Sequence, residues 1–352
     1  MIKVNMFSSA DKVKGQGVGS AYLELIRLLK ERANDEIEIT INKYGKTQLS
    51  HYHTIDPQFY LTTFFKKRFG RRIGYVHFVP NTLKESIKLP KIFEKILYRY
   101  VVSFYKRMDH LVVVNPSFIP ELVALGISEE KITYIPNFVA KSTFFAYSPE
   151  KIVELRKQHA IEDGQFVVFG AGQVQERKGV FDFAKLAEEM PDIKFIWAGG
   201  FSFGKITDGY ERYKKLMDHP PKNLDFVGII DRDQMVDYYN LTDVFLLPSY
   251  NELFPMCILE AFSTETPVLL RDLPLYRPVI DGYYAACEDR EAMLREIRNL
   301  KENPANYQAL KEQAIVGNNY YSEERLNTIW IDFYQKQALE GGNRWIERTN
   351  GR

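Results

Sequence analysis

The chain has two cysteines in 352 residues, Cys257 and Cys287. Two isolated cysteines exclude a disulfide framework and offer no metal-ligand spacing. Both read as apolar fillers in a reducing compartment. No apolar run approaches the roughly 18 residues a spanning helix needs. The N-terminus, MIKVNMFSSADKVKGQG, has no secretory h-region. These absences predict a cytoplasmic protein. No low-complexity tract or short-period repeat interrupts the chain, no P-loop lysine follows its glycine loop, and no Asp-x-Asp turn sits in a metal-binding context.

What is present is globular. Hydrophobic residues make up 45% and charged residues 26%, which argues against wholesale disorder. The length suits two domains of roughly 150 to 200 residues. The net charge of +1 hides an asymmetry. Residues 1–150 hold 22 Lys or Arg against 14 Asp or Glu, and the remainder holds 25 against 32. Residues 64–107 alone carry 12 cations and 2 acids, which predicts an anionic partner for the N-terminal half.

Strand-like and helix-like runs alternate. IKVNMF leads through a glycine loop to AYLELIRLLKERA, and EIEITIN, IGYVHFV, DHLVVVNPS and KITYIPNFV follow as strands. After NFVAKSTFFAYSPE, which has no clear period and reads as a linker, the alternation restarts with QFVVFGAG, IKFIWAGG, LDFVGII, DVFLLPS and PVLLRD. This pattern predicts two α/β domains of the doubly wound, Rossmann-like kind. We place them at residues 1–145 and 146–320. The aromatic C-terminal helix within 321–352 is expected to pack back on the first. Ligands of such sheets bind at the carboxyl ends of the strands, so a cleft facing both sheets is the expected site.

Three stretches carry chemistry. GQGVGS (15–20) joins a strand to a helix, where glycine lets backbone approach a phosphate. The same glycines also serve a tight βα turn, and both readings stand. GAGQVQERKGVFDF (170–183) sets Arg177 and Lys178 just ahead of a helix, a combination that suits a diphosphate. DVFLLPSYNELFPMCILEAF (243–262) ends a strand at Pro248–Ser249 and starts a helix near Pro255. Glu252 precedes that helix. Glu260 lies about five residues into it, roughly 7.5 Å along its axis from the start. An ionised carboxylate only accepts hydrogen bonds, so the pair suits hydroxyl donors such as two sugars of one nucleotide sugar. The plainer alternative is a capping Glu252 and a surface Glu260.

At Ser249, Glu252, Phe254, Pro255, Glu260 and Ala261 the sequence resembles the family 4 retaining glycosyltransferases, which have the GT-B fold of two Rossmann-like domains facing across a cleft. Residues 109–139 look like the segment that closes the N-terminal domain in that family. The resemblance implies that Glu260 holds the donor ribose. It implies that Glu252, with the backbone of Leu253 and Phe254, holds the transferred hexose or phosphate. Lys178 and Gly17 would meet the diphosphate, and His77 would match a histidine that faces the donor sugar. Gln173 departs from the pattern, which has Arg there; Arg177 is the candidate to supply the charge. The family needs no divalent metal or other cofactor, and none is expected.

The basic stretch gives the acceptor side. FFKKRFGRRIGY (64–75) interleaves aromatics with Lys66, Lys67, Arg68, Arg71 and Arg72. KIFEKILYRYVVSFYKR (91–107) is amphipathic, with Lys91, Lys95 and Arg99 opposite an apolar stripe. Apolar face plus cationic face is the pattern of a helix in a membrane interface, although a core-packing helix has the same period. No nucleic-acid motif accompanies the charge, so nucleic acid is not an expected partner. The chain is similar to the Gram-positive synthases that add a second hexose to glucosyl-diacylglycerol. The expected partners are UDP-galactose or UDP-glucose, a glycolipid acceptor and the inner face of the cell membrane. A polyprenyl-linked or soluble glycan acceptor, and a non-catalytic GT-B partner protein, remain as alternatives.

Overall fold

The computed structural model describes residues 1–10, 17–33, 35–79, 90–201, 204 and 209–349; residues 17 and 343–349 are described by backbone alone. The glycine loop ahead of Gly17 lies outside the described residues. Gly17 itself is the first residue of the helix Gly17–Arg32.

The chain divides into two compact units. Among the described residues, one comprises residues 1–10, 18–137 and 323–349, and the other comprises Gly17 and Phe138–Ser322. Each is built on a six-stranded sheet in which every pairing is parallel. The first sheet contains β1 (Ile2–Phe7), β2 (Ile37–Ile41), β3 (Leu49–Tyr52), β4 (Arg71–Val76), β5 (His110–Val113) and β6 (Ile132–Tyr134), ordered β2-β1-β3-β4-β5-β6. The second contains β7 (Phe166–Ala171), β8 (Ile193–Ala198), β9 (Leu224–Gly228), β10 (Val244–Leu247), β11 (Val268–Arg271) and β12 (Ala285–Cys287), ordered β12-β11-β10-β7-β8-β9. Helices cover parallel sheets on both faces, which is why β5, β10 and β11 are apolar runs buried along their whole length.

Strand order reverses between β1 and β3 in the first sheet, and between β7 and β10 in the second. Loops leaving the carboxyl ends of neighbouring strands diverge there and open a binding crevice. The sequence places both of its strongest motifs at the second reversal. GQVQERKG follows β7 and SYNELFP follows β10. Beneath them Phe183 packs edge-on against Phe195 and Trp197, with ring centroids 5.3 and 5.0 Å apart.

Two segments differ from expectation. Residues 137–150 read as a linker, yet from Phe138 onward they belong to the second unit: Phe144 is fully buried against Tyr239, and Tyr147 donates to Asp237 at 2.7 Å. Strand β3, with the sequence LSHY, gave no periodic signal, yet all four residues are buried. In the first unit the helix Glu323–Thr349 lies against β1, β3 and β4. Trp330 meets Tyr75 at 5.6 Å, and the Tyr334 hydroxyl pairs with His51 Nδ1 at 2.7 Å.

Candidate active site

After β7 the chain turns through Gly172 and a short 3-10 turn, Glu176–Lys178, before the helix Val180–Glu189. Gly179 makes this turn possible. Its φ is +68°, and a Cβ there would sit 2.2 Å from the Pro248 carbonyl oxygen. Only glycine lets the loops after β7 and β10 approach this closely. Tyr250 N–H then donates to the Arg177 carbonyl at 2.8 Å and ties them together.

The result is a buried ionic cluster. Lys178 and Glu252 are 7% and 6% exposed, and the Lys178 ammonium donates to Glu252 Oε1. Arg177 Nη1 lies 3.7 Å from Glu252 Oε2 and donates to the Asn251 carbonyl at 3.4 Å. Gln175 accepts from Arg177 Nε at 3.1 Å and donates to Gln173 Oε1. Gln173 stands where the resemblance has arginine, and the arginine beside Glu252 in this loop is Arg177. The loop is braced from behind: Arg271 donates to the Pro248 carbonyl at 3.1 Å and pairs with Asp182 at 2.5 Å.

Glu260 sits on the helix Met256–Ser263, which has Pro255 as its N-cap. It is equally buried but has separate partners. Arg232 Nη1 donates to Oε1 at 2.6 Å, and the Tyr239 hydroxyl donates to Oε2 at 2.8 Å. Both partners belong to the helix Arg232–Asn240. Burial and the Glu260 charge push the Tyr239 hydroxyl well above its ordinary pKa, so it stays a donor. Each carboxylate oxygen offers about two acceptor sites, so both glutamates retain capacity beyond the bonds described.

Sequence reasoning missed Arg232 and Tyr239, which lie 28 and 21 residues from Glu260 with no local signal linking them. It also missed Tyr276, in a 3-10 turn shortly after β11. The hydroxyls of Tyr276 and Ser249 are fully buried and have no hydrogen-bond partner among the described residues. Burial, then the Glu252 charge, holds the Tyr276 hydroxyl protonated. Phe254 is buried, with its ring 5.7 Å from that of Tyr321, while Leu253 is half-buried.

His77 belongs to the first unit, immediately after β4. It is buried in a cluster of imidazoles and phenols, 4.3 Å from Tyr75 and 6.0 Å from His53 between ring centroids. Burial lowers its pKa to about 3, so it is neutral at physiological pH. Its Nε2 has no partner among the described residues.

The expected membrane-binding cations divide. Lys67, Arg68, Lys91, Lys95 and Arg99 are exposed, and Lys66 is exposed while pairing with Asp109 at 2.6 Å. Arg71 and Arg72 do not belong with them. Arg71 is 6% exposed, donates to Gln337 Oε1 at 2.7 Å and pairs with Glu340. Arg72 grips Asp109 with two nitrogens, at 3.0 and 3.1 Å, and donates to the Thr63 carbonyl. Burial raises the Asp109 pKa, but the bonds from Arg72 and Lys66 outweigh it and hold the carboxyl below the usual range. Both arginines hold the first unit together instead of facing a bilayer.

Residues 151–316, nearly all of the second unit, match the family model for glycosyl transferases group 1. An alpha-galactosylglucosyldiacylglycerol synthase of Streptococcus pneumoniae is 55% identical over 97% of this chain and 91% of its own. The chain belongs to the group 1 glycosyltransferases. A processive diacylglycerol alpha-glucosyltransferase of Acholeplasma laidlawii is 26% identical over 78% of this glycosyltransferase and 80% of its own length. The structure of Anabaena HepE in complex with UDP and glucose superposes with a TM-score of 0.74 at 14% identity, covering 95% of this chain and all of that one. The two parallel-sheet halves are those of the GT-B fold.

Proposed function

We propose that this glycosyltransferase moves a hexose, galactose or glucose, from UDP to a diacylglycerol glycolipid such as glucosyl-diacylglycerol, with retention of configuration. The observation that carries the reading is the buried Glu252, held by Lys178 and Arg177 at the strand reversal of the second sheet. A leaving UDP gains negative charge as the glycosidic bond breaks. Two cations already fixed and partly dehydrated stabilise that charge without reorganising. Glu252 orients the cations and accepts from hexose hydroxyls. Glu260, fixed by Arg232 and Tyr239, accepts from the ribose. The names of the pneumococcal and Acholeplasma relatives supply the lipid class, and HepE was solved with UDP and glucose. UDP-hexoses carry an α linkage, and both relatives are named for α products, so the α linkage is kept. The lipid acceptor puts the chain at the membrane surface in this reading; among the described residues no helix is long and apolar enough to cross one.

Because Arg177 and Lys178 supply the charge, a divalent ion has no assigned task. Label from UDP-[14C]hexose is expected to enter the lipid phase with glucosyl-diacylglycerol in anionic micelles, at the same rate with or without EDTA. Transfer only to a soluble glycan would remove the lipid acceptor. A collapse of rate in EDTA, restored by magnesium or manganese, would remove the metal-free leaving-group role.

A further inference from the structure

The helix Lys91–Lys106 carries one stripe that advances by three or four residues: Phe93, Ile96, Tyr100, Phe104 and then Arg107. The two ends of this stripe have different fates. At the C-terminal end Tyr60 covers it, with ring centroids 5.3 Å from Tyr100 and 5.8 Å from Phe104 and a 2.8 Å bond to Ser103. At the N-terminal end Ile92, Phe93 and Ile96 are 73%, 60% and 58% exposed. The stripe therefore runs off the packed body of the domain.

The segment that covers it ends in a second apolar projection. Leu61, Phe64 and Phe65 are 62%, 55% and 62% exposed. Arg107 holds this turn in place. Its guanidinium lies 3.6 Å over the Phe64 ring, and its Nε donates to Thr63 Oγ1 at 2.7 Å. From Phe93 to Arg107 the helix advances roughly 21 Å, so the two projections stand about that far apart along one element. Exposed cations flank each, Lys91, Lys95 and Arg99 at one end and Lys67 and Arg68 at the other.

We infer that the first unit docks on an anionic bilayer at two points, the helix's N-terminal end and, as a second anchor at its other end, the Leu61–Phe65 turn. This rests on the glycolipid reading above and specifies the surface that serves it. The chemistry selects lipid over other partners. Leu61, Ile92 and Ile96 have nothing to stack on in a nucleic acid, where phosphates take the cations and bases take flat rings. Lysine is depleted from protein interfaces, yet here lysines interleave the apolar side chains. An interface of acyl chains and anionic headgroups takes both at once.

The test is sedimentation of the full chain with phosphatidylcholine vesicles, with and without phosphatidylglycerol. Wild type, F64S/F65S, I92S/F93S/I96S and the combined variant are compared, and UDP titration of each serves as the folding control. Either patch variant is expected to lose about tenfold in affinity for anionic vesicles, and the combined variant to lose detectable binding, with UDP affinity unchanged. Wild-type affinity in F64S/F65S overturns the second anchor, and equal binding to neutral vesicles overturns the role of the cations. A wild type that binds through both patches yet glycosylates no lipid defeats the reaction reading and leaves the surface standing. Lipid transfer without loss in F64S/F65S does the reverse.

Discussion

Replacing Glu252 with alanine is expected to lower hexose transfer by about a thousandfold while leaving the affinity for UDP close to wild type. The reason lies in what the carboxylate touches. Glu252 binds the Lys178 ammonium and faces Arg177, and its remaining acceptor capacity is assigned to the hexose. UDP alone lacks that hexose. Removing the carboxylate also frees Lys178, which then meets the diphosphate without an internal competitor, so UDP affinity holds or rises. The cost falls on the ligand-free protein, where a 7% exposed lysine loses its partner. Glu252→Gln keeps the shape and separates lost charge from lost volume. Initial rates and calorimetric titration with UDP read the two effects. A tenfold or greater loss of UDP affinity in both variants would falsify the assignment.

Glu260→Ala is expected to weaken UDP itself by about a hundredfold, the scale of one or two charge-assisted hydrogen bonds to the ribose. Arg232 and Tyr239 fix both oxygens of Glu260, so its orientation is set before the nucleotide arrives. Truncation removes the acceptor and leaves Arg232 and the buried Tyr239 hydroxyl without it. Saturating donor should recover much of the maximal rate, because the hexose contacts remain. The same titration decides the matter: UDP affinity equal to wild type contradicts the ribose role, and equal losses in Glu252→Ala and Glu260→Ala dissolve the division of labour.

Much of this site is legible in the sequence because it is local. Two glutamates eight positions apart, a proline opening a helix between them and a cation pair before another helix can all be read within short windows. The apolar runs of β7, β10 and β11 place those windows at strand ends. What escaped depends on partners far along the chain. Strand β3 hid because its Ser50 hydroxyl and His51 Nδ1 find their partners from afar, in the Phe69 carbonyl at 2.6 Å and the Tyr334 hydroxyl at 2.7 Å. Arg71 and Arg72 look like part of a basic surface until Gln337, Glu340 and Asp109 come into place. The Glu260 clamp escaped for the same reason. In the opposite sense, the amphipathic helix was readable, but which end of its stripe is covered depends on Tyr60, more than thirty residues upstream.

The proposed reaction is an α-retaining transfer from a UDP-hexose to a glycolipid, driven by the Lys178, Arg177 and Glu252 cluster. Its most direct test is one reaction with UDP-galactose or UDP-glucose and glucosyl-diacylglycerol in phosphatidylglycerol micelles, followed by proton NMR of the extracted lipid. The expected product is a lipid bearing one added hexose whose anomeric coupling is that of an α linkage. A β-linked hexose, or no lipid-borne hexose with either donor, would contradict it.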